Sequence, residues 1–142
     1  NTAQIGRAED MVDAASTKAV GMIGVSFKSG TDDLRESPLA DLAARLIERG
    51  QQVQVYDPYV SEAFEMDPDA AGRGNDVVPD LSARMETDID ALIDSSDVIV
   101  VGNAYPGVAT RIREAADRKR VVDLTRIAPG LVSGDGYQGI CW

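Results

Sequence analysis

The chain has 142 residues, with 14 Lys and Arg against 24 Asp and Glu, a formal net charge of -10 and no histidine. That length suits one domain, able to bury about 70% of its unfolded surface around a core of its own. The negative charge argues against a general nucleic-acid surface, whose affinity comes from clustered Lys and Arg, and the lack of histidine excludes Ser-His-Asp and Cys-His nucleophile systems.

No stretch reaches the roughly 18 consecutive apolar residues of a membrane helix, and no basic and apolar leader with a small-residue cleavage site is visible. The single Cys141 has no partner for an internal disulfide, so a reducing, cytoplasmic setting is expected. The chain opens on Asn1, already in a helical apolar pattern through Ile5, Ala8, Val12 and Ala15, which is expected of a boundary inside a longer protein.

Residues 2–15 are expected to form an amphipathic helix, and Ala19 to Val25 a short buried strand. After a polar loop, Ser37 suits an N-cap and Pro38 the first helical position. Leu39, Leu42, Leu46 and Ile47 then make an apolar stripe that Gly50 stops. Val53 to Tyr56 alternates with glutamines and ends at Asp57-Pro58, as a second strand would. Residues 66–80, with Pro68, Gly72, Gly74 and Pro79, hold the densest breaker cluster and are expected to be a surface excursion, with a short strand near Arg84 to Glu86. Thr87 and Asp90 resemble a capping arrangement for a helix carrying Ile89, Leu92 and Ile93 and ending near Ser95. Asp97 to Val101 is expected to be a buried strand closed by Gly102-Asn103, Pro106 to Arg118 a helix, and Arg120 to Leu124 a strand. Strands alternating with helices imply right-handed crossovers and a three-layer α/β fold, a parallel sheet with helices on both faces.

In open parallel sheets ligands bind beyond the carboxyl ends of the strands, where helix N-termini offer amide donors to anions. The loop after the first strand therefore draws attention, because it carries Lys28 and Arg35, the latter just ahead of the helix cap. These two either grip a phosphate or pair with Asp32, Asp33 or Glu36 nearby. Gly24 and Gly30 match neither G-x-G-x-x-G nor the phosphate loop G-x-x-x-x-G-K-[ST], so an independent dinucleotide site is not expected. Asp57 stands where a Rossmann acid would hold a ribose hydroxyl, or else caps a turn. With Asp32 and Asp33 it raises a receiver-like acidic pocket as a remote alternative, although that pair sits seven or more residues beyond the strand. Arg126 follows the last strand and should leave from the same edge as Lys28, as a ligand group or as an exposed arginine. Cys141 has no basic neighbour to activate it and is expected to be non-catalytic.

Gly24 to Pro38, reading G-V-S-F-K-S-G-T-D-D-L-R-E-S-P, resembles the signature of the UDP-glucose/GDP-mannose dehydrogenase family. V-x-V-Y-D-P at Val53 to Pro58, S-D-V-I-V-V-G-N at Ser96 to Asn103 and the closing V-V-D-L follow in matching order, so the resemblance covers nearly the whole chain. Asn1 to Ala15, with Gln4, Arg7 and Ala8, is similar to the end of the helix joining the two halves of these enzymes. The expected division is thus 1–16 for that helix and 17–142 for the C-terminal nucleotide-sugar-binding domain.

The resemblance implies a Rossmann-like parallel sheet that closes over a sugar nucleotide. It also implies an enzyme oxidising the sugar C6 alcohol to a carboxylate in two NAD-dependent steps, through a thioester on a cysteine of the N-terminal half. That cysteine is not in this chain, so no catalytic residue and no metal ligand is expected here. By motif, Phe27 and Lys28 would contact the sugar nucleotide, Arg35 would reach NAD held mainly by the N-terminal half, and Arg126 would contact substrate. The pairing of subunits through the connecting helix implies a homodimer. The ending Gly139-Ile140-Cys141-Trp142 and the wording of the loop are similar to the GDP-mannose branch that serves alginate-type polymers, whereas Thr125-Arg126 is similar to the UDP-sugar branch. On balance GDP-mannose is the expected substrate.

Overall fold

The computed structural model describes residues 2–14, 19–26, 34–125 and 137–139. Five strands, β1 (Ala19–Ile23), β2 (Gln52–Tyr56), β3 (Val98–Val101), β4 (Arg120–Asp123) and β5 (Tyr137–Gly139), form one sheet in the order β2-β1-β3-β4-β5. Every pairing is parallel, with Met22 opposite both Val55 and Val100, and Val100 opposite Val122. The two-residue period sends alternate side chains to opposite faces. On one face Val20, Met22, Val53, Val55, Val98 and Val100 build a core with α1 (Thr2–Ala14) and α2 (Pro38–Glu48). On the other, Ile23, Ile99, Val101 and Val121 meet α6 (Ile89–Ser95) and α7 (Val108–Ala115). The three-layer α/β architecture expected from the alternation is therefore the one observed.

Helix α1 buries Ile5, Ala8 and Val12 in the same core as α2. Arg49, at the end of α2, ties the two helices by pairing with Glu9 at 2.8 Å and with Asp13. The start and stop signals of α2 act as its residues imply. Ser37 Oγ accepts from the Ala40 amide at 3.3 Å, Pro38 occupies the first turn, and Gly50 adopts φ 88° just past the cap.

Residues 66–80 are not an excursion. Asp67 ends α3 (Pro58–Met66) and caps α4 (Pro68–Val77), accepting from the Asp69 amide at 3.0 Å. Pro68 starts that helix rather than breaking one. Gly74 is there for close packing, since a Cβ would meet Cζ of Phe64 at 2.5 Å. The strand expected near Arg84 to Glu86 is reduced to a single parallel bridge, Val55 to Met85, after the short helix α5 (Leu81–Arg84). Asp88, not Thr87, caps α6, its carboxylate accepting from the amides of Asp90 and Ala91. Helix α7 starts later than 106 because Gly107, at φ 84°, precedes it, and it ends at Ala115, with 116–118 in a turn. Strand β5 is too short, at three residues, to leave a periodic signal. No helix among the described residues is long and apolar enough to cross a membrane.

Two glycines separate packing from propensity. A Cβ on Gly21 in β1 would collide with Ser96 Oγ and lie 2.7 Å from Leu92 Cδ2, the buried C-cap and a buried residue of α6, whereas one on Gly72 in α4 meets nothing within 4 Å. Gly21→Ala should cost about 1–3 kcal/mol in urea unfolding, and Gly72→Ala should add about 0.5–1 kcal/mol.

Candidate functional site

The chain passes from β1 to β2 on one side and then places β3 on the other side of β1. Such a reversal leaves a crevice at the carboxyl ends of β1 and β3, the place where open α/β sheets hold ligands. Converging there are Gly24, Val25 and Ser26 after β1, Asp57 after β2, Gly102 to Tyr105 after β3, and Leu124 and Thr125 after β4.

Asp57 is fully buried and organises this edge. Its Oδ2 accepts the amides of Val25 at 3.0 Å and Ser26 at 3.2 Å, and its Oδ1 accepts the amide of Val60 at 3.2 Å, capping α3. A carboxylate at a helix N-terminus is favoured by the helix dipole as well as by these bonds. With both oxygens so engaged, Asp57 is a structural cap. It is no longer placed to hold a ribose, and its burial removes the receiver-like reading.

Around this latch the loop after β1 is fixed on three more sides. Ser37 Oγ donates to the Val25 carbonyl at 2.8 Å while capping α2, so one hydroxyl joins the loop to the helix it feeds. Gly24 has φ 95°, and a Cβ there would lie 2.9 Å from the backbone nitrogen of Asn103, so the crossing of the β1 and β3 ends admits only glycine. Asn103 Nδ2 donates to Ser26 O at 3.3 Å, and more loosely to Ser26 Oγ and Tyr105 Oη at 3.4 Å. The Tyr105 ring stands edge-on to Tyr56, with centroids 5.9 Å apart. Burial pushes the Tyr105 phenol well above its ordinary value, and the nearby negative charge of Asp57 adds to that, outweighing the opposing hydrogen bonds from Asn103 and Ser26.

A second buried carboxylate, Asp123, performs the same service at the end of β4. Tyr137 Oη donates to its Oδ2 at 2.6 Å, while its Oδ1 accepts the Thr125 amide at 3.0 Å and the Thr125 hydroxyl at 3.2 Å. Thr125 is thus anchored immediately before Arg126.

Of the residues singled out by motif, Arg35 is exposed in the turn preceding the Ser37 cap, followed by Glu36 in the left-handed region at φ 56°. Phe27, Lys28 and Arg126 lie outside the described residues, as do Asp32, Asp33 and Cys141. The described ends of their segments, Ser26 and Thr125, stand at the same carboxyl edge. Sequence reasoning missed Asp123, Ser26 and Asn103 as organisers. The available signal was polar residues directly after buried apolar strands, where an unpaired carboxylate or amide would be costly.

Replacing Asp57 by Ala should cost about 3 kcal/mol or more in denaturant unfolding, because three buried amides lose their acceptor. Asp57→Asn should cost less, since one acceptor oxygen survives. For Tyr105, a phenol ionising near 10.0 when unfolded but held protonated in the folded state stabilises fully below that pH, and the contribution is lost as pH rises past it. Urea midpoints measured from about pH 9 to 11 should therefore fall more steeply in the wild type than in Tyr105→Phe.

Parallel sheet, switch-point crevice and helix-capped loops together define a Rossmann-like ligand-binding domain. The family model described as the UDP-glucose/GDP-mannose dehydrogenase family, UDP binding domain, matches residues 21–129, and the chain belongs to that family. A GDP-mannose 6-dehydrogenase of Azotobacter vinelandii is 37% identical over 142 residues, covering 100% of this chain and 32% of the relative. A GDP-mannose dehydrogenase of Pseudomonas aeruginosa, solved as a ternary complex, superposes with a TM-score of 0.87 at 35% identity, covering 100% of this chain and 32% of that one. A UDP-glucose 6-dehydrogenase of Arabidopsis thaliana is 36% identical over 52 residues, covering 37% of this chain and 11% of the relative. The chain thus spans about a third of the length of the GDP-mannose relatives it matches.

Proposed function

We propose that this chain is the C-terminal, nucleotide-sugar-binding third of an NAD-dependent GDP-mannose 6-dehydrogenase, which oxidises GDP-mannose to GDP-mannuronate in the cytoplasm and supplies the sugar acid for a polysaccharide such as alginate. The observation that carries this reading is the stronger match on the GDP-mannose side: that relative aligns in sequence over 100% of the chain against 37% for the Arabidopsis UDP-glucose relative, and a GDP-mannose dehydrogenase superposes at TM-score 0.87 and 35% identity against 0.71 and 26% for a UDP-glucose dehydrogenase of Pyrobaculum islandicum. In this reading residues 1–16 end the connecting helix, 17–142 form the binding domain, and two full-length subunits pair through that helix.

The residues at the carboxyl edge would bind and orient. In sequence, Phe27 and Lys28 follow the stretch that Asp57 latches and Arg126 follows the Thr125 that Asp123 anchors, and in this reading these three residues contact the sugar nucleotide. Arg35, exposed ahead of the α2 cap, would meet the phosphates of NAD. NAD, held mainly by the N-terminal half, would take the hydride at each oxidation. The chain's own fit to that role is as a contributor, because Asp57, buried and spent on three amides, is not presented to a ribose. The catalytic cysteine belongs to the N-terminal half, so the 142-residue chain alone should produce no NADH.

A UDP-sugar substrate is the competing reading, favoured by Thr125-Arg126 and by the UDP binding domain of the family description. Steady-state oxidation by the full-length protein decides between them: kcat/KM should favour GDP-mannose over UDP-glucose, and the reverse preference would assign the chain to the UDP branch. Lys28→Ala should weaken sugar-nucleotide binding about 10- to 150-fold, the value of a charge-assisted contact, and Arg35→Ala should raise the KM for NAD. Unchanged constants would reject each role.

A further inference from the structure

Beside the turn that carries Arg35 lies a hollow of about 340 Å³ that the edge residues do not fill. Leu34 and Arg35 form one wall, and Phe64, Arg73, Gly74 and Val77 of α3 and α4 form the other. Two guanidinium groups meeting at one concavity run against the chain's net charge of -10. The rest of the wall is apolar and open, with Val77 39% exposed.

The placement of Arg73 follows from its neighbour. Gly74 lets α4 close onto the Phe64 ring, which sets the preceding residue at the rim of the hollow. Arg73 is engaged by Asp67 through Nη2 at 3.3 Å, with both side chains at least half exposed. An exposed pair of that kind contributes little, and a guanidinium exchanges it readily for the two-pronged grip of a phosphate.

We propose that Arg73 is a second basic contact for NAD, gripping its phosphates together with Arg35, while Phe64 and Val77 provide the apolar wall beside them. The inference rests on the reading of Arg35 as an NAD contact. It adds a residue that lies outside the loop signature, in the segment whose glycines and prolines look like breakers.

The test is calorimetric titration of NAD into the full-length protein without sugar nucleotide, with a parallel titration of GDP-mannose. Arg73→Ala should weaken NAD binding about tenfold and leave GDP-mannose binding unchanged, and Arg73→Lys should recover part of the loss. Asp67→Asn, which keeps the cap on α4 but releases Arg73, should bind NAD as tightly as the wild type or more so. A merely structural Arg73–Asp67 pair would instead make both variants weaken together, and that result would overturn the proposal. If Arg35→Ala weakens NAD binding and Arg73→Ala does not, the proposal fails while the reading of Arg35 stands. If neither variant changes it, that reading fails as well.

Discussion

The three amides converging on the Asp57 carboxylate decide how the carboxyl edge of the sheet is organised. Val25 and Ser26 belong to the end of β1 and Val60 to the first turn of α3, so one buried side chain fixes the exit of β1, the exit of β2 and the entry of the next helix. A buried anion is tolerated because each bond is charge-assisted and the helix dipole is aligned with it. The consequence is functional: an acid so committed to the backbone, and fully buried, is not presented to a ribose. Gly24, threaded past Asn103 without room for a Cβ, completes the crossing. Asp123 repeats the device one strand away from β3, and Tyr137 of β5 is its donor.

Rigid strand exits and charged loop residues thus divide the labour. Asp57, Asp123, Ser37 and Asn103 are buried and hold backbone, whereas Arg35 and Arg73 are exposed, the two guanidinium groups proposed to meet a ligand. The overall negative charge makes those basic positions matter more, since an anion approaching this surface finds few favourable places to bind. Helix α1 shares the core of α2 through Ile5, Ala8 and Val12, and Arg49 clasps Glu9 and Asp13. A displacement of that helix would therefore be felt at α2, whose cap Ser37 holds the loop after β1.

Much of this was legible beforehand, and the failures have specific causes. The runs at 19–23, 98–101 and 120–123 announce buried parallel strands because both faces are covered and little polar alternation is required, whereas 52–56, at the sheet edge, shows itself by alternating buried residues with exposed glutamines. Ser37-Pro38 and Gly50 marked α2 correctly, because caps act locally. Pro68 and Gly74 misled, because a proline is also a helix starter, and a helical glycine is also what permits a close approach to Phe64. Strand β5 is illegible, since three residues held by pairing with β4 and by the bond from Tyr137 to Asp123 are too few to show a period. At the site, the signature pointed to the loop and its basic residues. Asp57, which holds that loop, depends on contacts 31 and 32 residues away, and Asp123 takes a donor from Tyr137, 14 residues away, so no local pattern records them.

Under the proposed function, the carboxyl edge after β1 and β4 receives the sugar nucleotide. Amide hydrogen exchange on the full-length protein, with and without GDP-mannose, tests it most directly. The expected result is slower exchange in peptides covering residues 27–38 and 124–128, with no change at the opposite edge around Gln52, Asp97 and Lys119. Protection confined to that opposite edge, or none in either loop, would contradict it.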